Sequence, residues 1–296
     1  PQTLPPCADA DGSPDGGAGN EEAPARPVGK PLNEAAVWQR ALIMAAGAFM
    51  NFLLGFVVMV VLIAAQSEPI TSRVIYAIDD GALCGQTGLE AGDKVLAVNG
   101  RRCFVANDML YELMRTEDYS ARFTVLRGGE KVELPCVRFD TWQDDSGETH
   151  MSLGFTVYGI RKTPANVVKE AWNSVLYYGR IIFTSLMDLL RGRESINDLS
   201  GPVGIVTAIG QAASYGWQDL LQLLVLITVN LGIFNLLPFP ALDGGKVVFL
   251  LIEGVTGHAV PEKIQSGLTL AAFALLFGLM LFATYNDILR LITGAV

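Results

Sequence analysis

Asn230-Leu-Gly-Ile-Phe-Asn235-Leu-Leu-Pro238-Phe-Pro240-Ala-Leu-Asp243-Gly-Gly245 closes an apolar run of membrane-spanning length, yet it holds two asparagines, two prolines and a carboxylate. A charged side chain deep in a spanning helix costs roughly 2.5–3.5 kcal/mol on insertion scales, so such a group pairs with a cation, lines a wet cavity or binds metal. Prolines remove backbone donors and break the helix, and the carbonyls they free must face protein or water rather than lipid. Asp243 is therefore the first candidate for chemistry. Asn235, at the break, can hydrogen-bond an extended backbone, and Asn230, one to two turns earlier, is a second such amide. A helix from Gly244 to Glu253 offers Asp243 the alternative role of N-cap, which needs no metal.

Half of the chain is hydrophobic (51%) while 17% is charged, a balance that suits a membrane protein with a sizeable water-facing part. Uncharged apolar windows run from Ala41 to Ser67, Leu220 to Leu242 and Ile264 to Asn286, so transmembrane helices are expected at 41–67, 220–242 and 264–290. Ala171 to Met187 is shorter and interrupted by Arg180, which suits a helix lying in the interface. Residues 1–40 form a Pro-, Gly- and acid-rich flexible linker. Arg26, Lys30 and Arg40 crowd the near end of the first span and Glu68 its far end, which puts that linker on the cytoplasmic side. The crossings then place residues 69–215 outside the cell membrane, 243–263 in a cytoplasmic segment and the C-terminus outside; Arg290 runs against this orientation. A net charge of −9, with no basic, aromatic-interleaved surface, excludes nucleic acid as a partner. The chain opens at Pro1 without a signal-peptide pattern and is expected to be part of a longer protein.

Between Pro69 and Asp140 short β-type runs at 73–78, 95–98, 122–127 and 131–138 are separated by turns at Asn99-Gly100 and Gly128-Gly129. A short helix from Asp108 to Arg115, N-capped by Asn107, completes an α+β module at 69–140, and a polar connector at 141–163 holds His150. Cys7, Cys84, Cys103 and Cys136 follow no metal-ligand spacing, and a disulfide among them is left open. Within the module, Gly88-Leu89-Glu-Ala-Gly92-Asp93-Lys-Val-Leu-Ala-Val98-Asn99-Gly100 resembles the signature of bacterial PDZ domains. That resemblance implies a groove taking an extended peptide by β-augmentation, the alternative being a plug or filter over the membrane part. Thr163-Pro164 reads as N-cap and N1 of an amphipathic helix with Val168, Ala171, Val175, Tyr178, Ile182, Leu186 and Leu189 on one stripe. This 164–215 element includes the turn Leu199-Ser200-Gly201-Pro202-Val203-Gly204, whose glycines predict close backbone packing.

Hydrolysing a peptide bond inside a membrane needs a group that activates water. A serine solution lacks its GxSG turn and the histidine that would follow in a span. A paired-aspartate solution lacks a second intramembrane aspartate, Asp243 being the only carboxylate between Asp219 and Glu253. A zinc solution needs three protein ligands and an open position for water, and Asp243 is one of them. His150 and His258 read as surface histidines. The Asn230–Gly245 stretch, with Val37-Trp-Gln-Arg-Ala-Leu-Ile-Met-Ala-Ala-Gly47-Ala-Phe-Met-Asn51 and Ser200-Gly-Pro202, resembles the site-2 protease family of intramembrane zinc metalloproteases over residues 32–291.

The resemblance implies a membrane α-helical fold of three transmembrane helices in this chain, with an inserted PDZ-like domain and an interfacial amphipathic helix. It implies Zn2+ as cofactor, Asp243 as a zinc ligand, and Asn235, Pro238 and Pro240 in an unwound, substrate-facing segment. The other two ligands and the general base would come from an HExxH helix, a motif these residues do not contain. By the resemblance the catalytic glutamate belongs to that HExxH helix and no catalytic residue lies in this chain, which alone is expected to be inactive and to bind zinc weakly or not at all. The implied substrates are transmembrane proteins such as anti-sigma factors or remnant signal peptides, cut in regulated intramembrane proteolysis. The rival reading is a non-catalytic PDZ-bearing scaffold, a pseudoprotease that never had the dyad.

Overall fold

The computed structural model describes residues 35–293 apart from 117, 145–146 and 194–199. Most of the opening linker, Cys7 and Leu199 lie outside those residues. Helix α1 (Val37–Ala65) leads into a sheet module: β1 (Ile70–Ile78), α2 (Leu83–Gln86), β2 (Lys94–Val98), β3 (Arg101–Arg102), α3 (Ala106–Met114), β4 (Ser120–Arg127), β5 (Glu130–Arg138), β6 (Asp140–Gln143), β7 (Thr149–Ser152) and β8 (Phe155–Ile160). The helices α4 (Pro164–Leu190), α5 (Pro202–Tyr215), α6 (Trp217–Leu236), α7 (Asp243–Thr256) and α8 (Glu262–Thr293) follow. Of the described helices, α1, α6 and α8 are long and apolar enough to cross a membrane.

The module is an antiparallel sheet in the order β5-β4-β2-β1-β8, with β3 hooked onto β2. Asn99 and Gly100 both take positive φ, 50° and 78°, the geometry of the tight hairpin turn that pairs Val98 with Arg101. Ile75, Val95, Val98, Phe123, Val125 and Val137 point inward and meet Met109 and Leu113 of α3. Each such side chain stabilises the fold by about 1.5–3 kcal/mol. Asp93, fully buried in the Gly92-Asp93 turn, is matched by Arg127, whose Nε and Nη2 donate to its two oxygens at 2.8 and 2.7 Å. The three described cysteines are free.

The sheet outruns the expected limit at residue 140, because β8, drawn from the connector, pairs with β1 along Ile70↔Ile160 to Ile78↔Phe155 and forms the sheet's edge. Helix α3 begins earlier than expected, with Val105 rather than Asn107 at the N-cap. Asp108 explains this: its carboxylate reaches back to accept the N–H groups of Phe104 and Val105, satisfying donors that the helix start leaves open.

The membrane helices pack through small residues. A side chain on Gly55 would stand 3.1 Å from Thr228 and Val229 of α6, and one on Gly232 3.1 Å from the Phe52 ring. Further down, Val37 abuts Gly254 and Arg40 is paired with Glu253 of α7. Helix α1 thus runs antiparallel to α6 and then to α7. Residues 243–256 are accordingly a helix packed along the first half of α1, where the sequence reading placed part of a cytoplasmic segment.

Thr163 caps α4 by accepting the Asn166 N–H at 3.2 Å, with Pro164 opening the first turn. The buried stripe of α4 is Val167, Ala171, Val175, Tyr178 and Ile182, packed on Met59, Leu62, Val225 and Val229. Val168, expected on that stripe, is half exposed at 50%, one position out of phase. The 164–215 element contains a second helix, α5, whose N-cap Gly201 is jammed against α8: a Cβ there would lie 2.7 Å from the Thr284 nitrogen.

Candidate metal and substrate site

Helix α6 ends at Leu236, six residues short of the expected Leu242, and Leu237 turns extended at φ −62° and ψ 142°. A residue before proline is pushed out of the helical region, and Leu237 precedes Pro238 while Phe239 precedes Pro240. The break is held by short-range turns, Leu237 N–H to Phe234 C=O at 3.0 Å and Leu242 N–H to Phe239 C=O at 2.9 Å. Thr269 of α8 donates to the Pro240 carbonyl at 3.2 Å, so one acceptor freed by the break is satisfied within the protein.

The chain resumes its helix directly under this break. Leu242 is the N-cap of α7 and Asp243 its first residue, with no side-chain capping bond, which removes the N-cap alternative for Asp243. Gly244 and Gly245 are required by contact: a Cβ on either would stand 2.2 Å from the carbonyl oxygen of Leu237 or Phe239 respectively. Asp243 is left 38% exposed in the first turn, where the positive end of the helix favours a carboxylate. Its Oδ1 lies 3.4 Å from Lys246 Nζ, and its Oδ2 faces Gly47 of α1. Gly47 lies ten positions into α1, about 15 Å along its axis, which sets the carboxylate well inside the helical layer.

The break thus gathers Asp243, Pro238, Pro240 and Asn235, the last half-buried in the final turn of α6. Asn230 is exposed, and five helical positions turn it about 140° away from Asn235, so the two amides do not share a face. His150 sits in the β6–β7 hairpin with its Nε2 3.0 Å from Asp144 Oδ2, and His258 is exposed beyond α7. Asp144, Glu148 and His150 are the described group whose ligand atoms lie close enough to hold an ion, and it belongs to the sheet module.

Asp287 was missed by the sequence reading, which counted no second intramembrane aspartate. It is 5% exposed within α8, and its Oδ2 accepts the Gly204 N–H at 2.7 Å, capping α5. It is no catalytic partner for Asp243: Thr269, which touches the break, lies eighteen positions away on α8, about 27 Å along the helix. The signal that could have found it is the one applied to Asp243, a carboxylate within an apolar run.

The structure thus sets an accessible carboxylate where an apolar helix is broken, opposite a glycine of a second helix. A profile of Peptidase family M50 matches residues 11–279, and the chain belongs to that family, the site-2 proteases. It is 31% identical over 271 residues to the "Regulator of sigma-W protease RasP" of Bacillus subtilis, covering 92% of this chain and 64% of that protein. It is 34% identical over 251 residues to the "Zinc metalloprotease RasP" of Geobacillus kaustophilus, with 84% and 59% covered. The "Putative zinc metalloprotease Atu1380" of Agrobacterium fabrum is 29% identical, with 88% and 72% covered. The chain therefore spans just under two thirds of the Bacillus relative's length.

Proposed function

We propose that this chain is the part of an intramembrane zinc metalloendopeptidase that supplies one carboxylate ligand, Asp243, and the unwound segment that receives substrate. The carrying observation is the placement of Asp243 at the restart of a broken span, accessible and facing Gly47 rather than tied into a cap. Relatives named as zinc metalloproteases support zinc as the cofactor.

Tetrahedral zinc in a catalytic site takes three protein ligands. Among the described residues no His, Cys, Asp or Glu joins Asp243 in a group of three able to hold an ion. These residues do not make a zinc site by themselves. The remaining ligands and the general base are assigned to a further segment seated on the open side of Asp243.

In this reading Asn235 hydrogen-bonds the extended backbone of a transmembrane substrate, Pro238 and Pro240 keep the receiving segment unwound, and Thr269 steadies the Pro240 carbonyl. The name of the Bacillus relative favours a membrane-bound regulator of a sigma factor as the substrate class. The sheet module is read as PDZ-like, a reading supported by the Gly88–Gly100 stretch and by β8 as an edge strand of the sheet, and as extracytoplasmic from the charge asymmetry about the first span. Asp243→Asn in the full-length protein is expected to abolish cleavage of a membrane substrate while leaving insertion intact; cleavage at the normal rate would remove Asp243 from the site. A zinc titration of residues 1–296 is expected to show weak binding, and tight stoichiometric binding would contradict the shared site.

A further inference from the structure

Helix α4 has three faces, and two of them are occupied. Val167, Ala171, Val175, Tyr178 and Ile182 pack into the helix core. Arg180 and Asp188 turn to α3, where Asp108 receives the first and Arg115 donates to the second. The third face carries Val168, Trp172, Leu176 and Phe183, each between 39% and 57% exposed. Their spacings of four, four and seven put them on one stripe.

That stripe borders an apolar cleft of about 620 Å3 between α1, α4 and α6. Phe49, Phe52 and Phe56 line it from α1 and Ile233 from α6, and Trp172 meets Phe56 edge-on at 6.1 Å. No charged side chain borders it. From Trp172 to Phe183 the cleft follows eleven positions of α4, about 16 Å along the axis, which is one leaflet's share of a hydrocarbon core about 30 Å thick.

A second cavity, of about 160 Å3, adjoins the Trp172 end, and its character is opposite. Arg73 of β1, Lys94 of β2 and Lys169 of α4 line it with the amides of Asn166 and Asn173, against one acid, Glu170. Lys169 and Trp172 are three positions apart on α4 and therefore neighbours on its surface, which makes the cationic cavity continuous with the apolar stripe. The pairing of Val74 with Lys94 brings Arg73 and Lys94 onto adjoining strands. The pairing of β1 with β8 shifts register between Thr71 and Ile75, an irregularity of the kind that re-aims a side chain, and Arg73 falls within it. Strand β1 also follows directly on α1, a helix long and apolar enough to cross a membrane, so these cations stand at the level where lipid head groups lie.

We propose that the two cavities together hold one anionic phospholipid, its phosphate among Arg73, Lys94 and Lys169 and an acyl chain in the cleft between Trp172 and Phe183. Arginine and lysine make strong charge-assisted hydrogen bonds to phosphate, and basic pockets beside membrane helices take anionic head groups. A zwitterionic head group would bring an ammonium among three cations, so the site selects net negative charge. Neither Asp243 nor metal takes part.

The test places the full-length protein in phosphatidylcholine discs carrying a minor fraction of either brominated phosphatidylglycerol or brominated phosphatidylcholine. Bromine on an acyl chain quenches a tryptophan that it touches, so Trp172 reports a chain in the cleft, and a free phosphate brings no bromine. The phosphatidylglycerol is expected to quench about twofold more than the phosphatidylcholine. Trp172→Phe should remove that excess. So should Lys94→Gln with Lys169→Gln, two exposed residues whose exchange leaves Arg73 in its contact with the Cys103 carbonyl. Lys131→Gln, an exposed cation on β5, should keep the excess. Equal quenching by the two lipids, an excess that survives the paired lysine exchange, or an equal loss in Lys131→Gln overturns the proposal. Quenching of Trp172 by neither lipid would mean that a protein segment fills the cleft, and overturns it as well. Zinc and proteolysis do not enter the readout, so its failure is distinct from failure of the peptidase reading.

Discussion

Asp243 of α7 and Gly47 of α1 face one another across the helical layer, with 3.7 Å between the carboxylate Oδ2 and the point where a Gly47 side chain would begin. That spacing is ordinary contact for a methyl group and too little for a branched side chain pointing the same way. Gly47→Ala in the full-length protein is therefore expected to keep substrate cleavage, whereas Gly47→Leu displaces the carboxylate and lowers it by roughly 100-fold, the loss expected for a misplacement of about 1 Å. A cleavage assay on matched amounts of inserted protein reads the difference, and equal activities would separate Gly47 from the site.

The two glycines after Asp243 make a harder demand. A Cβ 2.2 Å from the Leu237 or Phe239 carbonyl has no low-energy escape, because both obstacles are backbone. Gly244→Ala or Gly245→Ala should each destabilise the protein by about 2–3 kcal/mol or more, seen as a lower thermal midpoint in detergent. Gly254→Ala is the control: its methyl would meet Val37 at 3.6 Å, and its midpoint should barely move.

Asp287 should behave as a cap. Asp287→Ala removes the acceptor for the Gly204 N–H and is expected to cost about 1 kcal/mol, while Asp287→Asn keeps an acceptor and should cost less. Comparing the denaturant midpoints of both variants tests this, and equal losses would argue that charge rather than capping matters.

Burial pushes the Cys103 thiol up to about 12, with the nearby Asp108 charge adding to the effect and the Arg180 and Arg73 charges opposing it. An unfolded thiol ionises near 9, so between about pH 9 and 12 the unfolded chain holds fewer protons than the folded one, and stability falls as pH rises. The slope from this group is at most about 1.4 kcal/mol per pH unit. Denaturation curves from pH 8 to pH 10.5 should show the decline, and Cys103→Ala should flatten it in part. Cys84, also raised by burial, acts in the same direction.

What could be read in advance followed from residues whose effect is local. Pro238 and Pro240 announce a broken helix, Thr163-Pro164 a helix start, and Asn99-Gly100 a hairpin, because each acts on its own backbone. The true end of α6 was hidden: Leu237, Phe239 and Leu242 are as apolar in the break as they would be in a helix, so hydropathy runs on through them. Strand β8 and the Asp287 cap were hidden for another reason. Their partners, β1 and Gly204, lie far away in sequence, Gly204 by 83 positions, and no local pattern records such a pairing. The same holds for Arg115 and Asp188, 73 positions apart. The carboxylate at the break was legible from its chemistry, whereas the glycine across from it was not, since a glycine in a spanning helix reads only as packing.

The register pairing of Ile70 with Ile160 sets the entrance and exit of the sheet module side by side, about 5 Å apart as antiparallel neighbours are. To the helices, ninety residues are then a detour with no span to bridge. Such a cassette can be excised and its ends joined by a few flexible residues, or exchanged for another fold with neighbouring termini, without stretching the path from α1 to α4.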